Sequence, residues 1–411
     1  MTTETRAPAL WRNVPYAWLW AGQTVSRLGT AITTVAFPLL VLELAPSAQV
    51  AGTASALITL GNVLLTPVGG ILSDRGDPRR PMMAVDLARF VFIGSLPLAF
   101  ALGRISLPHL YVVAFLVGSG RAVFDVAHSA LLPRLVAREQ LAEANSGLWT
   151  SFSVAQTLGP SFGGFLVAAL GAAYAMGLDA VSFLVSAASL LGVRLKSSDG
   201  DRPEAQPQHT PRHSVVGDLR EGLAFLWQQH IIRNTTLLLF LFHALCLYPA
   251  LALLAYRAKV ELGLSKETIG LVFAAGGVGS ILGSLAAGLF KRRLRFGQVI
   301  VGCILVSALG LGLLALGTSA VPVGAGYGLL HGAWIAALLS RVALRQSLTP
   351  LPLQGRVGAA ERFIALAGGP LGAYLGGIIG DRFGAGPVFA AGAALAVVLA
   401  AGGWRTGLRE A

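Results

Sequence analysis

The sequence predicts an all-α integral membrane protein, with twelve transmembrane helices in two pseudo-symmetric six-helix bundles. Three observations carry this prediction. Of 411 residues, 55% are hydrophobic and only 12% are charged, against about 25% charged in soluble domains. The apolar residues form continuous runs of about 20, the length that spans a bilayer as a helix. The basic residues are segregated between alternate loops.

Helices follow from the solvent. Lipid satisfies no backbone N–H or C=O group, so spans are helices or closed barrels. Barrel strands alternate polar and apolar residues, and these runs do not. The predicted spans are 16–44, 49–73, 81–103, 107–131, 144–169 and 171–194, then 235–257, 267–290, 297–317, 320–345, 357–381 and 386–404. The first is long, and its start around Trp11 to Trp20 reads as an interfacial helix. It lacks a small-residue cleavage site and is too long for a signal peptide, so it is expected to stay in the chain as span 1.

Charge sets the expected orientation. The even-numbered loops and both termini hold 22 of the 31 Lys and Arg, the odd-numbered loops hold five, and four lie within spans. By the positive-inside rule both termini are expected in the cytoplasm, which requires an even number of spans. The net charge of +12 is then explained by basic loops facing anionic lipid. No motif that reads nucleic acid is present, and no nucleic-acid partner is expected. Cys246 and Cys303 fall inside spans and read as buried apolar residues, not as a disulfide or a metal pair.

The chain divides into a first six-span bundle, 1–195, a linker, 196–233, and a second six-span bundle, 234–411. The linker opens on a stretch rich in Pro, Ser, His and charge, which reads as flexible. In its second part Val216, Leu219, Leu223, Leu226 and Trp227 recur at helical spacing. That pattern predicts an amphipathic helix lying on the membrane. The halves resemble each other: GGILSDRGDPRRPM after span 2 matches AAGLFKRRLRFGQV after span 8, and LGPSFGG in span 5 matches GGPLGAYLGG in span 11. Two related halves are the signature of transporters that rock about a central site.

Gly70, Asp74 and Arg75, with Arg79 and Arg80, resemble the loop 2–3 signature of the major facilitator superfamily. Gly159, Pro160, Gly163 and Gly164 resemble the glycine–proline motif of its exporters. RNVPYAWLWAGQTVSRLGT, ALLPRLVAREQLAEAN, LDAVSFLVSA and GDLREGLAFLWQQH resemble its macrolide-efflux and siderophore-exporter-like branch. Three positions depart from the family. Pro78 stands where the loop has a basic residue, the second-half loop has no counterpart of Asp74, and Thr30 follows Gly29 where the branch often has an acid.

The resemblance implies a cytoplasmic lock. Asp74 would accept from a helix N-terminus, that of span 11, and Arg75 or Arg79 would pair with Asp125 on span 4. The bland alternative is that these arginines only fix topology. It also implies a cavity lined by spans 1, 4, 7 and 10, with Gln23, Arg27, Arg121, His128, His243, Tyr248, His331 and Trp334 as candidates. Intramembrane polar residues carry a functional hypothesis by default. Competing structural readings are a local pair for Arg121 and Asp125, a local pair for Asp86 and Arg89, interhelical hydrogen bonds for His243 and His331, and packing for Trp334. Asp179 lies on span 6, whose face is peripheral in the family. Pro160 kinks span 5, and Gly163 and Gly164 permit close packing on span 8 or span 1.

No phosphate loop, H-E-x-x-H or G-x-S-x-G is present, so no enzymatic chemistry of those kinds is expected. No cofactor and no metal site are expected. The function expected from the resemblance is export of small drug-like or secondary-metabolite molecules, driven by protons or another coupling ion. The expected working unit is a monomer embedded in lipid of the cytoplasmic membrane. The alternatives are a nutrient-uptake permease and a non-transporting membrane sensor.

Overall fold

A computed structural model describes residues 10–74, 76–194, 215–290, 293–406 and 408. Among these it contains twelve helices long and apolar enough to cross a membrane, and no strand. Spans 1 to 6 are Val14–Leu44, Ala48–Gly69, Arg79–Ala101, Leu107–Arg134, Leu141–Leu170 and Ala172–Gly192. Spans 7 to 12 are His230–Glu261, Lys266–Phe290, Phe296–Leu316, Ala320–Leu348, Gln354–Phe383 and Ala385–Arg405.

The halves repeat each other in packing. In the first, span 2 packs on span 4, span 3 on spans 4 and 6, and span 1 on spans 5 and 6. The second half repeats each pairing six spans later: 8 on 10, 9 on 10 and 12, and 7 on 11 and 12. Between the halves, span 2 packs on span 11 and span 5 on span 8. Small residues allow this close approach in a membrane, where packing rather than hydrophobicity joins helices. A Cβ added at Gly164 would lie 2.7 Å from Gly270 Cα and 2.9 Å from the Lys266 carbonyl oxygen. A Cβ at Gly52 would lie 2.7 Å from Gly377 Cα.

These crossings concentrate at the end opposite the termini. There the Asp381 carboxylate of span 11 accepts from Ser47 Oγ at 2.7 Å and from the backbone N–H of Ala48 at 3.1 Å. An acid at a helix N-terminus satisfies an orphan donor and meets the positive end of the dipole. Nearby, Lys266 Nζ of span 8 lies 2.9 Å from Glu43 of span 1, and Lys259 of span 7 donates to the Leu39 carbonyl at 3.2 Å. That end is closed. At the terminal end, Trp149 on span 5 is 63% exposed, and the Arg121 and Asp125 side chains on span 4 are also open to solvent.

Three expectations are corrected. The start of span 1 is not an interfacial helix: after a 3-10 turn, Leu10–Arg12, the Asn13 side chain caps one continuous helix from Val14. Tyr16 and Leu19 are fully buried in the bundle. Span 7 runs past the expected 235–257 at both ends, starting at His230 and finishing through a π-turn at Arg257–Glu261, with a second π-turn at His243–Leu247 inside it. Pro249, which donates no N–H, stands two residues after the end of the inner one. The linker helix, Val215–Gln228, does not simply lie on lipid. Its Leu226 is buried with Ile232, Val357 and Ala360, and its Glu221 pairs with Arg356 at the start of span 11. Leu223 and Trp227 remain exposed beside that contact. The side chains of Val216 and Leu219 lie outside the described residues.

In the second half, Glu361 of span 11 is buried between Arg341 at 3.6 Å and Arg345 at 3.2 Å, both on span 10. Buried charges persist when paired in this way.

Candidate functional site

Two adjoining cavities lie in the first half, at the open end. The outer one, about 390 Å³, is lined by Arg27, Arg121, Asp125, His128, Asn145, Leu148, Trp149, Phe152 and, from the other half, Arg362. The inner one, about 140 Å³, runs toward the middle of the membrane. Its wall includes Gln23, Thr33, Arg89, Phe124, Gln156, Asp179 and Phe183. Arg27, Arg121, Asp125 and Phe152 line both.

Span 1 supplies Arg27. Its guanidinium sits over the Phe152 ring, 4.8 Å from the centroid, in cation–π geometry. Its Nε has no hydrogen-bond partner among the described residues. Span 4 supplies Arg121 and Asp125, one turn apart, with Nε to Oδ2 at 3.8 Å. One turn further, His128 stacks on Phe124 at 6.3 Å, and its Nε2 is buried without a hydrogen-bond partner among the described residues. The outer wall therefore presents the guanidinium groups of Arg27, Arg121 and Arg362 against the carboxylate of Asp125. Aromatic faces of Trp149 and Phe152 stand beside them. That surface suits a small amphipathic molecule with an anionic group and an aromatic body.

The structure brings Gln23, Arg27, Arg121 and His128 to these cavities. Gln23 is buried and donates to Ser186 Oγ of span 6 at 3.1 Å. The second-half candidates are corrected. His243 Nδ1 donates to the Ala365 carbonyl at 2.7 Å and ties span 7 to span 11, with Tyr248 edge-on to its ring at 5.7 Å. His331 lies 3.2 Å from Ser280 Oγ and ties span 10 to span 8, with Trp334 edge-on at 5.4 Å. None of these four lines either cavity. A polar side chain in an apolar wall is satisfied by the nearest helix, and here the neighbour supplies that partner.

Asn145, Trp149, Phe152 and Gln156 of span 5 form a wall that sequence reasoning missed. Their spacing of four, three and four residues puts them on one helix face. Within the span 5 motif, Gly163 packs on Ile32 of span 1 and Gly164 on span 8. Gly159 meets Ala31, and Pro160 borders a small void of about 20 Å³ with His331.

The loop after span 2 departs from expectation. Arg79 pairs with Asp77 at 2.5 Å and donates to the Val193 carbonyl at the end of span 6. Asp125 sits about two turns inside span 4, in the cavity beside Arg121, and is not the partner of Arg79. Arg134 donates to the Gly76 carbonyl at 2.9 Å and braces the same loop from the end of span 4. Arg80 is exposed. Arg75, the surroundings of Gly70 and the side chain of Asp74 lie outside what is described. The Arg79 guanidinium holds the Asp77 carboxyl below its ordinary range. The pairing is therefore fully present at neutral pH and is lost as pH falls through that lowered value.

The family model described as Major Facilitator Superfamily matches residues 19–360. The multidrug efflux pump Tap of Mycolicibacterium fortuitum is 27% identical over 394 residues, covering 93% of this chain and 92% of that protein. The enterobactin exporter EntS of Citrobacter koseri is 28% identical over 323 residues, covering 76% and 72%. Among solved structures, a bacterial homologue of the iron transporter ferroportin superposes with a TM-score of 0.71 at 20% identity, covering 96% of this chain and 99% of that one. A bacterial homologue of the human lysosomal transporter Spinster gives 0.72 at 13% identity, covering 98% of each chain. The two structural likenesses show the fold.

Proposed function

Because the chain belongs to the Major Facilitator Superfamily, and is thus a transporter rather than an enzyme, we propose that it exports small amphipathic molecules by alternating access. The observation that carries this reading is a guanidinium- and aromatic-lined cavity that opens at one end of the bundle while the other end is closed. The basic loops lie at the open end. By the positive-inside rule that end is cytoplasmic, as are both termini. A cavity loaded from the cytoplasm suits export, and relatives named as a multidrug efflux pump and an enterobactin exporter support it.

The two six-span units, 1–195 and 234–411, rock about the cavity, with 196–233 as the connecting segment. Outward opening parts the span 2–span 11 and span 5–span 8 contacts at the closed end. It brings the loop 74–80, with Arg134, against the second half at the cytoplasmic end. The protein works as a monomer in the lipid of the cytoplasmic membrane, driven by an ion gradient. Its cargo carries an anionic group for Arg27, Arg121 and Arg362 and an aromatic or apolar body for Trp149 and Phe152.

Sulforhodamine B, an aromatic dye with sulfonate groups and a delocalised cation, has this chemistry and tests the reading in everted membrane vesicles. Energised vesicles containing the protein are expected to accumulate the dye several-fold over vesicles without it, and a protonophore is expected to abolish the difference. Equal accumulation in both preparations contradicts the proposal.

A further inference from the structure

We propose that the buried cluster of Asp86, Arg89 and Asp179 is a proton-binding site, with Asp179 as the carboxyl that takes up and releases the proton. Asp86 and Asp179 are 0% and 1% exposed, and Arg89 is 7% exposed. Arg89 Nη1 lies 3.7 Å from Asp86 Oδ1. Its guanidinium is held between the rings of Phe124 at 5.4 Å and Phe183 at 5.1 Å. The cluster thus buries two carboxyl groups around one cation. Buried charges persist only when compensated, and carboxyls that share one counter-ion do not both stay ionised.

Geometry assigns the proton to Asp179. Asp86 has the ion pair. Asp179 has no ion pair among the described residues: it accepts from Ser182 Oγ at 3.1 Å through Oδ1, and its Oδ2, like both Asp86 oxygens, has no hydrogen-bond partner there. Asp179 also lines the inner cavity, whereas Asp86 does not. Span 1 makes room for it at Gly29, where a Cβ would stand 2.6 Å from Asp179 Oδ1.

The groups facing Asp179 set the sign of the effect. Span 3 brings Asp86 and Arg89, span 1 brings Arg27 and Thr33, and span 4 brings Arg121 and Asp125 across the cavity. Span 5 contributes only the uncharged Gln156, and span 6 itself adds Ser182 and Ser186. Ionised Asp179 offers the inner cavity an uncompensated carboxylate that attracts the cationic part of a cargo. Uptake of a proton from cavity water makes it a neutral acid and removes that attraction. Proton and cation-bearing cargo therefore exclude each other, which is the linkage an exchanger requires. This coupling step rests on the export reading, whereas the proton site does not.

Infrared spectroscopy of the purified protein in liposomes reads the proton without any cargo. The wild type is expected to show a buried carboxylic-acid C=O band that disappears reversibly as pH rises, and Asp179→Asn is expected to lack it. Arg89→Gln removes the cation that pairs with Asp86 and is expected to increase the band about twofold, because Asp86 then also holds a proton. Persistence of the titrating band in Asp179→Asn, or an unchanged band in Arg89→Gln, overturns the proposal. In everted vesicles, Asp179→Asn is expected to lose proton-driven accumulation of sulforhodamine B while retaining dye exchange. Proton-driven accumulation equal to wild type also overturns it. A titrating band that Asp179→Asn removes, with no dye transport by the wild type, upholds the proton site and defeats the export reading instead.

Discussion

Arg27→Ala is expected to lower sulforhodamine B extrusion at least tenfold in membranes that contain normal amounts of the protein. A hydrogen bond to a charged group contributes about 1.5–3 kcal/mol, and about 1.4 kcal/mol corresponds to a factor of ten. A cation deep in a membrane helix is costly and is kept where a cavity or a ligand compensates it. At helical spacing on span 1, Arg27 has Gln23, Thr24, Thr30 and Ala31, none of them acidic. The structure gives its guanidinium the Phe152 ring and a place on both cavities. Arg27→Lys keeps the charge but loses the planar, forked donor, so a smaller loss is expected. Dye efflux at the wild-type rate in both variants would remove Arg27 from the cargo site.

A second large effect is expected at the contact between the halves. Gly164→Leu should reduce transport to background and lower the thermal stability of the detergent-solubilised protein. The backbones of spans 5 and 8 meet at Gly164 and Gly270 so closely that even a methyl group would lie 2.7 Å from the facing Cα. Forcing side-chain volume into such a contact costs about 1–3 kcal/mol. That cost falls on the arrangement closed at the end opposite the termini, the one that takes up cargo in the proposed export cycle. Extrusion assays and melting curves on the same preparation measure both effects. Normal values for both would show that this contact is not needed for the closed end.

The membrane-spanning architecture was legible because its signals are strong and redundant. Apolar runs of bilayer length marked the helices, and the repeat of basic loops and glycine–proline segments marked two related halves. Contacts were less legible. The apolar stripe of Leu223, Leu226 and Trp227 is the same whether it meets lipid or protein, and only the structure shows Leu226 buried on span 11. His243 and His331 sit in apolar runs where a histidine looks alike whether it serves a cargo or a neighbouring helix. The structure gives them the Ala365 carbonyl and Ser280.

The cavity wall of span 5 escaped for a related reason. Trp149 and Phe152 at helical spacing read as lipid-facing aromatics as readily as cavity lining. The loop after span 2 concealed its own pairing, since Arg79 reaches Asp77 only two residues away. In the sequence Asp179 reads as a membrane-embedded acid on a peripheral helix. Its burial against Gly29 of span 1 depends on how spans 1 and 6 pack, which no local pattern encodes.

In the proposed function the cavity opens to the cytoplasm and is closed on the other side. Trp149→Cys places a thiol on the outer cavity wall, and native Cys246 and Cys303 are buried and should contribute little background. A membrane-impermeant maleimide applied to inside-out and right-side-out vesicles measures which side reaches that position. Rapid labelling is expected in inside-out vesicles, slowed by saturating sulforhodamine B, with little labelling in right-side-out vesicles. Labelling confined to right-side-out vesicles, or equal from both sides and indifferent to the dye, would contradict it.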